Sequence, residues 1–423
     1  MKRKNHWVLF ALLLLALINL SPSEETALVR SEERGDEPPA SVPQTEVPQE
    51  TGHIRVAVQM NESDFRQLEQ MTRTFMDSHK VQVELTNVAS EEAYASFQNL
   101  LKLGESPDVL LLDNAWVRQF AADGYLLPTE IYYSGVLSGE VLSVSLVPNE
   151  WNGYVWGVPA DVDPYVYVFS DKAMKELGME APPDSPDAWN ALLASGSEPK
   201  RLPQHLLGVD GSDPYAALTL LWQLGGGAKE NGQASPFTLT GEMQTALMRL
   251  EQLRPYLVSK GSPPAEDQGL WNQLQRGELA MLLTTASEAA SHPQAGTKAV
   301  LPEKKQGRYS GWIAGRSYAV SSHSQNPDAA GEWIEAMTSS ESQSQWFEAT
   351  GHLPVLHAVY DEAAKYKLPD WSGAFAASGA KSAMPAGSGL PAELEEFSGL
   401  VENYLNGKAS AASLADKFGR SGQ

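Results

Sequence analysis

The chain has 423 residues, 31 basic against 53 acidic, a formal charge of −22 and no cysteine. That acidity opposes nucleic-acid binding, and the missing thiols exclude disulfides, thiolate metal sites and a cysteine nucleophile. A chain this long outgrows one compact core, so two lobes are expected, and 42% hydrophobic with 20% charged residues is ordinary for a globular protein.

Lys2, Arg3 and Lys4 form a basic region ahead of an apolar run, Trp7 to Leu20. The run suits a secretory signal and is short for a spanning helix; Ser21 and Ser23 are small residues fit for cleavage after Ser23. The alternative is an uncleaved anchor over residues 7–20. The stretch 24–52 is rich in Glu, Pro, Ser and Thr, with Pro38, Pro39, Pro43 and Pro48 spaced along it. It carries too little apolar surface to fold and reads as a disordered tether. An exported protein at the cell surface is expected, and without cysteine it cannot be a lipoprotein.

Folded structure is predicted from His53. Ile54, Val56 and Val58 alternate as a strand, and Phe65, Leu68, Thr72, Phe75 and Met76 keep helical spacing behind a cap at Asn61 or Ser63. Val81, Val83 and Leu85 form a second strand. Ser90 can cap a helix carrying Tyr94, Phe97 and Leu101 on one face. A third strand follows at Val109–Leu112, four unbroken apolar residues as in a parallel sheet buried on both faces. This β-α-β-α-β order predicts a parallel sheet with right-handed crossovers. Further on, Gly153 and Gly157 mark turns, Tyr165–Phe169 reads as a strand, residues 184–258 look mainly helical, and Gly225–Gly227 form a loop. Ala280–Leu283 and Trp312–Ser321 read as strands, Pro327 opens a helix capped by Asn326, and Pro391–Asn406 is amphipathic.

The third strand stops at Asp113, Asn114 and Trp116. The carboxyl edge of an open α/β sheet is where ligands sit, so two polar groups and an indole there predict recognition rather than catalysis. The competing roles are local: Asp113 or Asn114 capping the next helix, and Trp116 packing in the core.

Several segments, in order, resemble the extracellular solute-binding proteins of ABC importers, the family that includes maltose- and other sugar-binding proteins. They are the stretch Gly104–Asp113 with Gly124–Pro128; Trp151–Pro159 leading to Asp163 and Tyr167; Gln223–Gly226; Arg276–Met281; and Pro327–Ala330 with Trp333, then Gly351–Pro354. Met384–Pro385 and Asn406–Ser410 complete the set. The resemblance implies a periplasmic-binding-protein-like fold: two α/β lobes, each a mostly parallel sheet flanked by helices, with ligand in the cleft between. It implies a first lobe of residues 53–162 and 287–338 and a second of 163–286 and 339–423, with crossings near Asp161–Asp163, Thr284–Ser287 and Ser339–Ser340. It further implies a small ligand, a carbohydrate first, with membrane permease subunits as partners and a monomeric chain. A surface sensor acting without transport is the alternative.

By the same resemblance, Asp113 and Trp116 fall where relatives touch sugar, whose hydroxyls suit a carboxylate and whose C–H face suits an indole. Asp163 falls where an acidic contact is placed at the crossing, with Asp161 two residues away. Gly311 and Trp312 precede a strand that opens onto the cleft. Trp222 precedes the glycine loop, and Trp156 lies beside the hinge turn. Arg316 is a candidate partner for an acidic ligand. One departure stands out: Thr284–Ser287 replaces a Gly-Pro-Trp whose indole stacks on sugar in several relatives.

Enzyme chemistry has little support. Ser197-x-x-Lys200 and Ser378-x-x-Lys381 lack the partner motifs of that catalytic pattern. The eight histidines show no paired-ligand spacing, and no phosphate-binding glycine loop occurs. No enzyme activity, metal or cofactor is expected.

Overall fold

The structure, a computed structural model, describes residues 52–420 apart from 89–92, 105, 196–204, 228–235, 260–268, 305–307, 380–384 and 386. The signal, the tether up to residue 51, Ser90, Ser197, Lys200, Lys381 and Met384 lie outside the described residues, and Gly52, expected in the tether, begins the first strand.

β1 (Gly52–Val58), α1 (Glu62–Ser78), β2 (Val81–Asn87), α2 (Ala93–Lys102), β3 (Val109–Asp113) and α3 (Asn114–Ala122) build the first lobe. β1 pairs in parallel with both β2 and β3. α1 starts where the Asn61 side chain accepts from the Asp64 N–H at 2.9 Å. Its buried stripe of Leu68, Met71, Thr72 and Phe75 covers one face of the sheet. Phe97 and Leu101 of α2, with Val117 and Phe120 of α3, cover the other. Val109–Leu112 are at most 3% exposed, as a strand sandwiched between two helical layers requires.

The hairpin of β4 (Glu150–Trp151) and β5 (Tyr154–Val155) turns through Asn152 and Gly153, both at positive φ. Then β6 (Val158–Ser170) runs through both lobes. The second lobe adds β7 (His205–Val209), α4 (Pro214–Leu221), β8 (Leu257–Ser259), β9 (Leu279–Thr285), α5 (Ala286–Ser291) and β10 (Thr297–Val300). β7 and β8 fall in a region the sequence reads as helical. Short, fully buried apolar runs such as Leu206–Leu207 carry no period that separates strand from helix.

β11 (Ile313–Val320) joins the lobes. The strand order is β2-β1-β3-β11-β6-β9-β7-β8, with β10 beside β6. β11 is antiparallel to β3 and to β6, and β6 is antiparallel to β9 and β10, so each lobe mixes parallel and antiparallel strands. The chain does not re-enter the first lobe at residue 287 as expected. Thr297–Val300 pair with the second-lobe end of β6, and Tyr309 and Trp312 pack in the second core, so the return is made along β11.

α6 (Pro327–Thr338) and α7 (Ser340–Thr350) follow. Trp346 of α7 still packs in the first core, while Leu353 and Val355 lie in the second. The third crossing therefore sits near residues 351–355, where Leu353 bridges Val162, and not at Ser339. Asn326 makes no side-chain cap on α6; its amide instead donates to the His53 carbonyl at 3.1 Å. α8 (Leu390–Leu405) packs on both α3 and α4.

α6 lies against the Tyr132 carbonyl at Gly331, where an added Cβ would stand 1.7 Å from the oxygen. Gly331→Ala is expected to lose on the order of 3 kcal/mol of unfolding free energy. Urea denaturation checks this, and a loss under 0.5 kcal/mol (roughly the surface-substitution range) would refute the contact.

Candidate ligand-binding cleft

β3 ends at Asp113, whose two oxygens face different tasks. Oδ1 caps α3 by accepting from the Ala115 N–H at 2.8 Å. Oδ2 accepts from the Tyr215 hydroxyl of the second lobe at 2.9 Å. The cap and cleft roles thus coexist in one side chain. One helical turn along, Trp116 packs edge-to-face against Tyr94 of α2, with centroids 5.4 Å apart.

On the opposite wall, Asp213 caps α4 through the Tyr215 and Ala216 N–H groups and accepts from the Tyr165 hydroxyl. Pro214 occupies the first turn. This start aims the Tyr215 ring across the cleft. Trp312 stacks behind Tyr215 at 4.7 Å, and Trp222 behind Trp312 at 5.9 Å. α8 supplies a third wall with Leu394, Glu395 and Ser398. These residues enclose a cavity of about 410 Å³ lined by Tyr94, Asp113, Trp116 and Tyr215 as well. Burial pushes the Asp113 carboxyl up to about 6, against the opposing pull of the Ala115 N–H, the Tyr215 hydroxyl and Arg316. Burial likewise lifts Asp213 to about 6, against the pull of the Tyr165 hydroxyl.

Asp113 and Trp116 therefore meet at the cavity, and the other sequence candidates lie elsewhere. Asn114 is buried and accepts from the Ser317 hydroxyl at 2.6 Å, tying α3 to β11. Trp222 and Trp312 are each 3% exposed and form the layer behind Tyr215. A Cβ on Gly311 would stand 2.6 Å from the Tyr309 hydroxyl oxygen, so Gly311 serves close packing. Trp156 belongs to the hairpin, donating its indole N–H to the Trp151 carbonyl at 2.8 Å and packing on Tyr154.

Asp161 and Asp163 belong to a buried charge network at the lobe crossing. Arg316 grips Asp161 through Nε and a terminal nitrogen, and the Trp346 indole donates to Asp161 at 3.0 Å. Burial pushes Asp161 up, but Arg316 and His352 outweigh it and leave its carboxyl below the ordinary range. Asp163 accepts from the Ser287 N–H at 2.9 Å and the Ser287 hydroxyl at 2.5 Å. Ser287, the last residue of the segment Thr284–Ser287, thus braces the lobe crossing. His352 lies 3.3 Å from Asp64 and 3.4 Å from Asp163. Burial and Arg316 push its ring down, yet Asp161, Asp163 and Asp64 together raise it to about 9.

Four polar or aromatic cavity residues were not singled out from the sequence: Tyr94, Tyr215, Glu395 and Ser398. The Asp213-Pro214 helix start was a usable signal for Tyr215. Tyr94 follows its helix's apolar stripe, and Glu395 and Ser398 border the apolar face of α8, so nothing local marks them. Among the described residues no group of three or more His, Asp or Glu could hold a metal, and no helix is long and apolar enough to cross a membrane.

A two-lobed α/β molecule with an aromatic and acidic cavity at the lobe junction is the architecture of a solute-binding protein. Residues 61–344 match the family described as bacterial extracellular solute-binding protein, and the chain belongs to that family. The fold is similar to the GacH receptor of Streptomyces glaucescens, solved unliganded and with acarbose, at 22% identity and TM-score 0.72, covering 88% of this chain and 97% of that one. It is similar to the sugar-binding protein MalE of Xanthomonas citri at 15% identity and TM-score 0.70, covering 86% and 95%. A solute-binding protein of Thermotoga lettingae bound with α-D-tagatose is similar at 17% identity and TM-score 0.67, covering 88% and 99%. No curated protein matches the chain.

Tyr215→Phe keeps the ring and deletes the bond between lobes. A hydrogen bond to a carboxylate contributes about 1.5–3 kcal/mol, so the empty protein should shift roughly ten- to a hundredfold toward an open form. Small-angle scattering reads this as a larger radius of gyration, and an unchanged radius would refute the latch. The protonated His352 bridge stabilises the fold fully below pH 6.5, the ordinary histidine value, and is lost as pH rises through about 9. Wild-type melting should fall across that window by up to roughly 3 kcal/mol of stability. His352→Gln should flatten the profile there; equal slopes in both proteins would refute the bridge.

Proposed function

We propose that this protein captures a carbohydrate in the cleft between its lobes and presents it, closed, to the permease of an ABC importer. The observation that carries the reading is the cavity itself. A carboxylate at the carboxyl end of β3 faces a phenol from the other lobe, with Trp116 and Tyr94 forming an aromatic wall. Asp113 would accept sugar hydroxyls, and Trp116 and Tyr215 would cover C–H faces. The acarbose and the α-D-tagatose held by two proteins of similar fold support this class of ligand.

Because ligand would bridge both walls, it would stabilise the closed form, which a permease can distinguish from the open one. The protein acts by binding and release rather than by catalysis, as a monomer without nucleic acid. Residues 1–23 serve as an export signal, or residues 7–20 as an anchor, and 24–52 as the tether between membrane and cleft.

Thermal unfolding against a sugar panel tests the reading. Ligand at a hundred times its dissociation constant should stabilise the protein by about 2.7 kcal/mol. Asp113→Ala and Trp116→Ala should each weaken the effect at least about tenfold in ligand concentration, through loss of a charged hydrogen bond or a stacking face. Stabilisation by a different solute class and by no sugar would overturn the carbohydrate assignment.

A further inference from the structure

We infer that the cleft selects a sugar carrying a positive charge, a protonated amino sugar, over its neutral counterpart; this rests on the carbohydrate reading above. The cavity places three aromatic rings, Tyr94, Trp116 and Tyr215, with two carboxylates, Asp113 on the first lobe and Glu395 on α8. No Lys, Arg or His is among its described lining residues. Aromatic faces and carboxylates both attract an ammonium group.

The position of Arg316 sharpens the point. Arg316 is the register partner of Asp113 across the β3–β11 pair and of Asp161 across the β11–β6 pair. Its guanidinium is committed to Asp161 through several bonds. Asp113 is left with two neutral donors, the Ala115 N–H and the Tyr215 hydroxyl. A neutral sugar would exchange the phenol for another neutral hydroxyl. Arg316 acts on Asp113 through charge alone, so an ammonium would supply the charged hydrogen-bond donor that this carboxylate does not have.

Glu395 acts on the same space from the other side. It is exposed on α8 yet close enough to help raise the Tyr94 phenol to about 12, after burial and Asp123. The Tyr215 ring is backed by Trp312 on one side and lines the cavity. The net charge of −22 adds long-range attraction for a cation.

The test is isothermal titration of the full chain with pairs of sugars that differ only in amine for hydroxyl. Glucosamine against glucose, galactosamine against galactose, and the β-1,4-linked glucosamine dimer against cellobiose form the set, at a pH where the amines are protonated. The N-acetylated dimer serves as an uncharged control and spermidine as a cation without a sugar ring. The expected result is at least about tenfold tighter binding of one amino sugar than of its hydroxyl partner, shrinking as salt is added. The ratio should collapse toward one in Glu395→Gln or Asp113→Asn; Glu395 is exposed, so its replacement leaves folding intact. Neutral sugars bound as tightly as, or more tightly than, their amine partners would overturn this inference and leave the carbohydrate reading standing. Spermidine bound with no sugar bound, or no binding by any member of the set alongside binding of another solute class, would overturn both.

Discussion

The lobes are held in one sheet by the pairing of β6 with β11, and the pairing is pinned by Asp161 and Arg316. Asp161 is 2% exposed and the Arg316 side chain 17%, so neither charge is well solvated. Taking such groups out of water costs several kcal/mol each, and the cost is met only when geometry and additional bonds are good. Here Arg316 engages both carboxylate oxygens and Trp346 adds an indole N–H. The register shifts between Arg316 and Ser317, immediately beside the pair. A slip by one residue would separate the charges and bury each alone. The pair therefore contributes specificity of register at the one place where both lobes depend on it.

That constraint reaches the cleft through a single row of residues. Asp113, Arg316 and Asp161 lie side by side on β3, β11 and β6. Arg316 spends its hydrogen bonds on Asp161, so it acts on Asp113 only through its charge, and the donors to Asp113, the Ala115 N–H and the Tyr215 hydroxyl, are neutral. The network at the lobe crossing thus helps set the electrostatics of the candidate cavity. His352 ties the same crossing to α1 through Asp64 and to β6 through Asp163, so the lobes meet at a cluster of three carboxylates and two cations.

The parts legible in the sequence are the local ones. The buried run Val109–Leu112, the Asn61 cap and the alternation of β1 each follow from neighbours within a few residues. The family resemblance rests on ordered short motifs and so survives without any knowledge of contacts. Of the candidate cavity's lining, the sequence marked Asp113 and Trp116, where a strand stopped. Asp161, Asp163, Trp222 and Trp312 have residue types equally suited to a buried network or to a ligand, and only the tertiary partners decide. The cavity draws on segments near residues 94, 113, 215 and 395, distant in sequence and joined by docking of α8 against α3 and α4. No local pattern encodes that meeting.

The tryptophans behind the cleft still bear on binding. Tyr215 reaches into the cavity from the first turn of a helix, a position that would leave its ring free to swing. Trp312 stacks on it, Trp222 stacks on Trp312, and the Trp312 N–H is held by the Thr219 hydroxyl at 2.9 Å. Thr219 lies on α4, the helix that carries Tyr215, so the backing and the presented ring move as one body. A ring fixed before ligand arrives loses less rotational freedom on binding, and affinity rises by that saving rather than by new contacts. The indoles buried in the second core therefore fix the ring that faces the cavity, although they do not line it themselves.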